Sequence, residues 1–198
     1  MDQLMQEAVR MGLVGAQAQS EEATLFLGMI QRFVELLAQK KGRTNLCKEL
    51  VRIVIEETSF DNCSIVLWNA QTKNLVLEAA YGLEDLLGTD SASAYHRDLA
   101  FPVGEGIAGR VFAEKTPIFV DESLPASIPP VEDAVIHPAS LACLPLLDLG
   151  VLCLSASQPD RFSDALKRNW EHLSKIMGYL ILGASLLPDD SPKTRCPS

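Results

Sequence analysis

The apolar period of this chain changes twice, and that constrains its fold more than any single motif. From Glu21 to Lys40, Phe26, Ile30, Phe33 and Leu37 recur at steps of +4, +3 and +4, which places them on one helix face. A second helix over 44–58 would bury Leu46, Leu50, Ile53 and Val54. The pattern then shortens. Cys63–Trp68 and Leu75–Tyr81 are runs of β-formers split by polar Asn69–Asn74, a hairpin signal, and Ser140–Leu147 with Gly150–Ser157 make a second. The helical period returns after Ser163, an N-cap residue followed by Asp164 in the first turn. Leu166, Trp170, Leu173, Met177, Leu180, Ala184 and Leu187 then alternate +4 and +3, an unbroken heptad seam. Strands arriving as adjacent pairs between flanking helices imply an α+β fold with an antiparallel sheet and helices on one face.

Between the hairpins the reading is a short helix and loop over 82–97, a strand over Asp98–Val103, a helix over Gly106–Lys115 and a strand over Pro117–Val120. Residues 121–139, with Pro125, Pro129, Pro130 and Pro138, are expected to form a long loop, and loops of that length inside a domain are usually functional. Residues 1–20 read as a weak amphipathic helix broken near Gly12 and Gly15. The tail from Pro188, rich in Pro, Asp and Ser, reads as disordered.

Length and charge exclude several classes. A chain of 198 residues fits one domain with helical extensions, and its 47% hydrophobic and 22% charged content is that of a globular protein. A net charge of −9 argues against nucleic acid as a partner, because phosphate binding needs a positive field. No apolar run approaches the ~20 residues that cross a bilayer. Ala16-Gln17-Ala18 has the form of a signal cleavage site, but the residues before it lack an unbroken apolar stretch. Five scattered cysteines (Cys47, Cys63, Cys143, Cys153 and Cys196) form no CxxC pair, which fits a reducing, cytoplasmic setting.

Gly104-Glu105-Gly106-Ile107-Ala108-Gly109 matches GxGxxG, yet a dinucleotide fold also needs a full crossover helix and a second parallel strand. Pro117 ends the helix too soon, and Asp121 comes too early to meet a ribose. The stretch Phe101-Pro102-Val103-Gly104-Glu105-Gly106-Ile107-Ala108-Gly109-Arg110-Val111, followed by Pro117-Ile118-Phe119-Val120-Asp121, instead resembles the central signature of GAF domains. Ser140–Leu146, Gly150-Val151-Leu152 and Arg161-Phe162-Ser163-Asp164 resemble that family's closing strands and helix. The likeness divides the chain into an N-terminal helical extension (1–43), a GAF-like domain (44–187) and the tail (188–198).

The resemblance implies a central antiparallel sheet, N- and C-terminal helices on one face and a ligand pocket on the other. It implies a non-catalytic sensory or regulatory module of signal transduction, binding a small molecule and signalling through its terminal helices to a partner chain. The rival is a dimerisation scaffold with an empty pocket. The ligand-binding residues expected on this basis are Tyr81, Phe101, Gly106, Ile107, Ala108, Gly109, Phe119, Cys143 and Cys153. The amides of Gly106–Gly109 open a helix, whose N-terminus attracts anions and polar groups; the plain alternative is that these glycines only permit a tight turn and close packing. Neither a ligand nor a cofactor is named by the sequence.

The family's specialised activities match poorly. In cyclic-nucleotide-binding relatives Tyr81, Ile107 and Ala108 would line the base, but of the further signature across Ser155, Ala156, Phe162, Leu166 and Lys167 only Phe162 is retained. Bilin attachment needs a cysteine within 82–139, where there is none. In free methionine-sulfoxide reductases a reactive cysteine stands where this chain has Ala108.

Cys143 and Cys153 lie symmetrically about Asp148, so a three- or five-residue turn would set them opposite each other, with Cys63 nearby if the first and last strands pair. Such thiols would sense redox state, bind a soft metal, or simply pack as small apolar groups. His137 with Asp121, Glu122, Glu132 and Asp133 reads as a solvated acidic loop rather than a metal site. Ile176, Ile181, Leu182 and Leu186 widen the apolar surface of the last helix beyond one seam, which predicts a homodimer through the terminal helices unless the N-terminal helix covers the excess.

Overall fold

A computed structural model describes residues 22–82, 100–121 and 138–186. In chain order these form α1 (22–38), α2 (Arg43–Glu57), β1 (Asn62–Asn69), β2 (Asn74–Tyr81), β3 (Ala100–Pro102), α3 (Gly106–Glu114), β4 (Ile118–Asp121), β5 (Ser140–Leu146), β6 (Gly150–Ala156) and α4 (Asp164–Ala184). The six strands make one sheet in the order β3-β2-β1-β6-β5-β4, every neighbouring pair antiparallel. The predicted elements within the described residues are all present, with ends displaced by a few residues at most. The expected helix in 1–20, the short helix and loop expected over 82–97 beyond Gly82, the first two residues of the strand expected from Asp98, most of the 121–139 loop, and Leu187 with the tail lie outside the described residues.

The larger core lies between the sheet and α1, α2 and α4. Leu46, Leu50, Ile53 and Val54 of α2 are buried as expected, together with Ile65, Leu144, Leu152 and Leu154 from the central strands. On α4 the seam Trp170, Leu173, Met177, Leu180 and Ala184 is buried in this core. Ser163 caps α4, its side chain accepting a hydrogen bond from the Leu166 amide at 3.2 Å. Trp170 is the hub: its ring meets Phe26 of α1 edge-on at 5.3 Å and Phe60 at 5.7 Å, and Phe60 stacks on Phe162 at 5.4 Å.

The buried stripe of α1 is Phe26, Met29, Phe33 and Leu36, not Phe26, Ile30, Phe33 and Leu37. The two stripes share Phe26 and Phe33, so the sequence period fits both; packing against α2 and α4 rotates the helix toward Met29 and Leu36. Arg32 then bridges α1 to Glu57 (2.5 Å) and Glu56 (2.6 Å) of α2. Its hydrogen bond holds the Glu56 carboxyl below the usual range. That support exists above the ordinary carboxylate range and is lost as pH falls through the depressed value; at so exposed a site solvent screens it.

β1 and β6 approach closely at Gly150, where an added Cβ would lie 2.0 Å from the Val66 carbonyl oxygen and 2.8 Å from the Leu67 Cα. Both are backbone atoms and cannot yield. Gly28, in mid-helix on α1, has nothing within 4 Å of such a Cβ. Gly150→Ala is therefore expected to destabilise by about 1–3 kcal/mol, and Gly28→Ala to stabilise by about 0.5–1 kcal/mol. Urea unfolding midpoints of the two variants should move in opposite directions.

Candidate functional site

The second face of the sheet carries α3. The loop before it turns on itself: the Gly104 amide donates to the Gly109 carbonyl at 2.9 Å and the Glu105 amide to the Pro102 carbonyl at 3.2 Å. Gly104 has a φ of +85°, Gly106, the first residue of α3, a φ of +60°, and a Cβ on Gly109 would fall 2.1 Å from the Pro102 oxygen. Each glycine thus has a steric task, the plainer of the two readings of the motif. At the other end of α3, Phe112 stacks on Trp68 of β1 at 5.5 Å, and the Lys115 ammonium sits 3.9 Å above the Phe112 ring and 3.1 Å from the Asp148 carboxylate.

Beneath α3 lies a separate apolar cluster. Val66, Leu75, Ala108, Val111, Cys143 and Val151 are buried in it, with Phe101, Ile107 and Cys153 among the half-buried residues against it. Of the expected site residues, Phe101, Ile107, Ala108, Cys143 and Cys153 therefore share this face, with Gly106 and Gly109 in the element above. The cysteines pair directly across the three-residue turn Leu147–Leu149, their Sγ atoms 3.3 Å apart. Burial and the hydrogen bond to Cys153 push the Cys143 thiol well up, the hydrogen bond being the larger cause. Cys63, although β1 does pair with β6, sits opposite Leu154 and points into the helix-side core.

Two expected residues are elsewhere. Tyr81 is on the opposite face from Ile107, because β2 bulges at Glu78: Ile65 pairs with Ala79 but Val66 with Leu77. One extra residue reverses the alternation beyond it, so Leu75 and Leu77 face α3 while Ala79 and Tyr81 face the helices. The bulged Glu78 accepts a hydrogen bond from Thr44 of α2 at 2.5 Å. Tyr81 instead borders a cleft of about 450 Å³ with Lys48, Glu49, Arg52 and Glu78. Phe119 pairs with Ala142 on the helix side and meets Phe162 edge-on at 5.2 Å.

The pairing also reveals a polar row that residue types alone do not announce. Ser64 lies beside Cys153, and Asn62 beside Ser155, on the α3 face. Asn62 is buried; its Nδ2 donates to the Ser155 Oγ at 3.3 Å, while its Oδ1 has no hydrogen-bond partner among the described residues. Parity with Ser155 across β1 and β6 is the signal that would have found it. A larger cleft of about 600 Å³ opens on the helix side among Phe26, Phe60, Arg161 and Trp170. The Asp121 carboxylate is engaged structurally, accepting from the Ser140 hydroxyl at 3.0 Å and the Arg161 amide at 3.2 Å. His137, Glu122, Glu132 and Asp133 lie outside the described residues. Among the described residues no three His, Cys, Asp or Glu side chains are grouped to hold a metal, and no helix is long and apolar enough to cross a membrane.

The sequence profile of the GAF domain matches residues 43–175. No curated protein is significantly similar to the chain. Among solved structures, it is similar to the GAF domain of a phosphoenolpyruvate-protein phosphotransferase from Coxiella burnetii, with a TM-score of 0.68, 19% identity, and 82% of this chain and 95% of that one covered. The corresponding domain from Acinetobacter aligns at a TM-score of 0.64 and 20% identity, covering 83% and 96%. A free methionine-R-sulfoxide reductase from Neisseria meningitidis, solved with its substrate, aligns at 0.64 and 17%, covering 83% and 92%. At these identities the structures establish a shared fold, one that the GAF domains of two phosphotransferases and a free methionine-R-sulfoxide reductase have in common. With more than half of its length matched by the profile and its sheet order and helix placement in agreement, the chain belongs to the GAF domain family.

Proposed function

We propose that this protein is a non-catalytic sensory module that binds a small organic molecule on the α3 face and signals through its terminal helices. The observation that carries this reading is Asn62. Buried polar atoms almost always have partners, and leaving one without costs about 1–3 kcal/mol. A carboxamide oxygen with no partner among the described residues, beside Ser155, Ser64 and Cys153, supports a ligand with a hydrogen-bond donor at that point and an apolar body lying toward Ile107 and Phe101. The helix-side thiols offer no nucleophile, which supports a non-catalytic reading. Burial pushes Cys47 up to about 12 and Cys63 well above its ordinary value; thiols protonated at neutral pH are poor nucleophiles. A cytosolic setting accords with these unpaired cysteines.

The terminal helices have surface to spare for an output. Leu27, Val34 and Leu37 on α1 are 66%, 58% and 49% exposed, and with Ile30 they repeat at +3, +4 and +3. Tyr179, Leu182 and Leu186 of α4 are exposed at steps of +3 and +4. α1 does pack onto α4 through Phe26 and Trp170, yet these outer stripes are left over. They favour a homodimer through α1 and α4, in which ligand binding shifts helix packing. They equally serve the second reading, a dimerisation scaffold whose α3 face holds nothing.

Native mass spectrometry of freshly purified protein separates the two. The sensor reading expects a retained small molecule, lost at least tenfold in Asn62→Ala while the fold remains; a ligand-free dimer that no small-molecule screen stabilises would leave the scaffold.

For the assembly, light scattering of the wild type should give a dimer, and Leu37→Glu with Leu182→Glu, both at exposed positions, a folded monomer. A wild type that stays monomeric at high micromolar concentration would refute the dimer.

A further inference from the structure

We infer that Cys143 and Cys153 form a reactive dithiol that a low-molecular-weight disulfide closes, reversibly, to an intramolecular disulfide between β5 and β6. The pair is set by register rather than by chance approach. Cys143 stands directly opposite Cys153 in an unbroken ladder from Ser140–Ala156 to Leu146–Gly150. That ladder is flanked by β4 on one side and β1 on the other, so the strands cannot drift apart. The Sγ atoms are 3.3 Å apart, and reaching a bonded separation of about 2.05 Å requires them to close by only about 1.2 Å.

The two sulfurs differ in access, and this orders the chemistry. Cys153 is half-buried, whereas Cys143 is 2% exposed and its S–H donates to the Cys153 sulfur. The remaining described thiols, Cys47 and Cys63, are fully buried in the helix-side core, which leaves Cys153 as the point of attack. Its thiolate displaces one half of the small disulfide, forming a mixed disulfide and releasing one thiolate, which takes a proton from solvent. The Cys143 sulfur, giving its proton to a solvent base, then attacks the Cys153 sulfur and expels the second thiolate, which is protonated in turn. Two protein thiols become one protein disulfide, and two electrons reduce the small disulfide to two thiols. The raised Cys143 thiol is disfavoured as the first attacker.

The new bond would lie in the row Ser64, Cys153, Cys143 and Ile118, under Ile107 and Ala108 of α3. The state of the dithiol is thereby a property of the same face that the ligand reading uses, but its formation needs no ligand.

The test uses the full chain carrying Cys196→Ser, which removes the cysteine outside the described residues. Folded protein is treated with 2-hydroxyethyl disulfide, then read by intact mass and peptide mapping. The expected product has lost two hydrogen masses, maps to Cys143 linked with Cys153, shows no change in oligomeric state and is reversed by dithiothreitol. Cys143→Ala should stop at a mixed disulfide on Cys153. Cys153→Ala should slow modification of the folded protein at least tenfold. Free Cys143 and Cys153 in folded protein whose urea-unfolded form reacts, a disulfide joining two chains, or an undiminished rate in Cys153→Ala would each overturn the inference. None of these outcomes alters whether a small molecule is retained in native mass spectrometry, so the two proposals fail separately.

Discussion

The pairing of β1 with β6 is the contact on which the rest of the fold depends. Each hairpin alone is two strands with a half-satisfied edge; joined, they become one sheet with two usable faces. The join is made over Asn62–Leu67 against Ser155–Gly150, residues more than eighty positions apart. It is reinforced at both ends. The Trp68 amide reaches the Leu149 carbonyl at 2.7 Å, the Asp61 amide the Ser155 carbonyl at 3.0 Å, and the Asp61 carboxylate accepts from the Ser157 amide at 2.6 Å. Gly150 leaves room for the Val66 carbonyl and the Leu67 backbone where the strands meet. Because the central pair fixes which side chains share a row, it also places Asn62 with Ser155 and Ser64 with Cys153.

The two faces that result are chemically unlike. The helix side is filled by large apolar side chains from three helices and closed by the Phe26, Phe60, Phe162 and Trp170 rings. The α3 side is apolar under Val111 and Phe112 and becomes polar toward Ser64, Ser155 and Asn62.

Much of this could be read from residues alone, and what could not has a common cause. Hairpins, the Ser163 cap and the Cys143–Cys153 register follow from interactions a few residues apart, and local interactions leave local patterns. Tyr81 went to the wrong face because the bulge at Glu78 answers to Thr44 and Arg43, more than thirty residues upstream. Phe119 did so because the parity of so short a strand is set by its partner, Ala142. On α1, two apolar stripes of equal period left the rotation to be decided by α2 and α4. Asn62 is ordinary as a residue type; only its neighbour across the sheet gives it meaning.

The placement of α3 has a geometric consequence. It connects β3 to β4, the two outermost strands, and so crosses the whole face. Five gaps of about 4.8 Å amount to about 24 Å of flat sheet, while nine helical residues extend only about 13.5 Å. The short flanks at Val103–Glu105 and Lys115–Pro117 supply the remainder. The crossover is thus a strut of nearly fixed length between the rims of the sheet. Its length limits how far the rims can spread, so the curvature that the sheet can adopt beneath α3 is bounded by a count of residues.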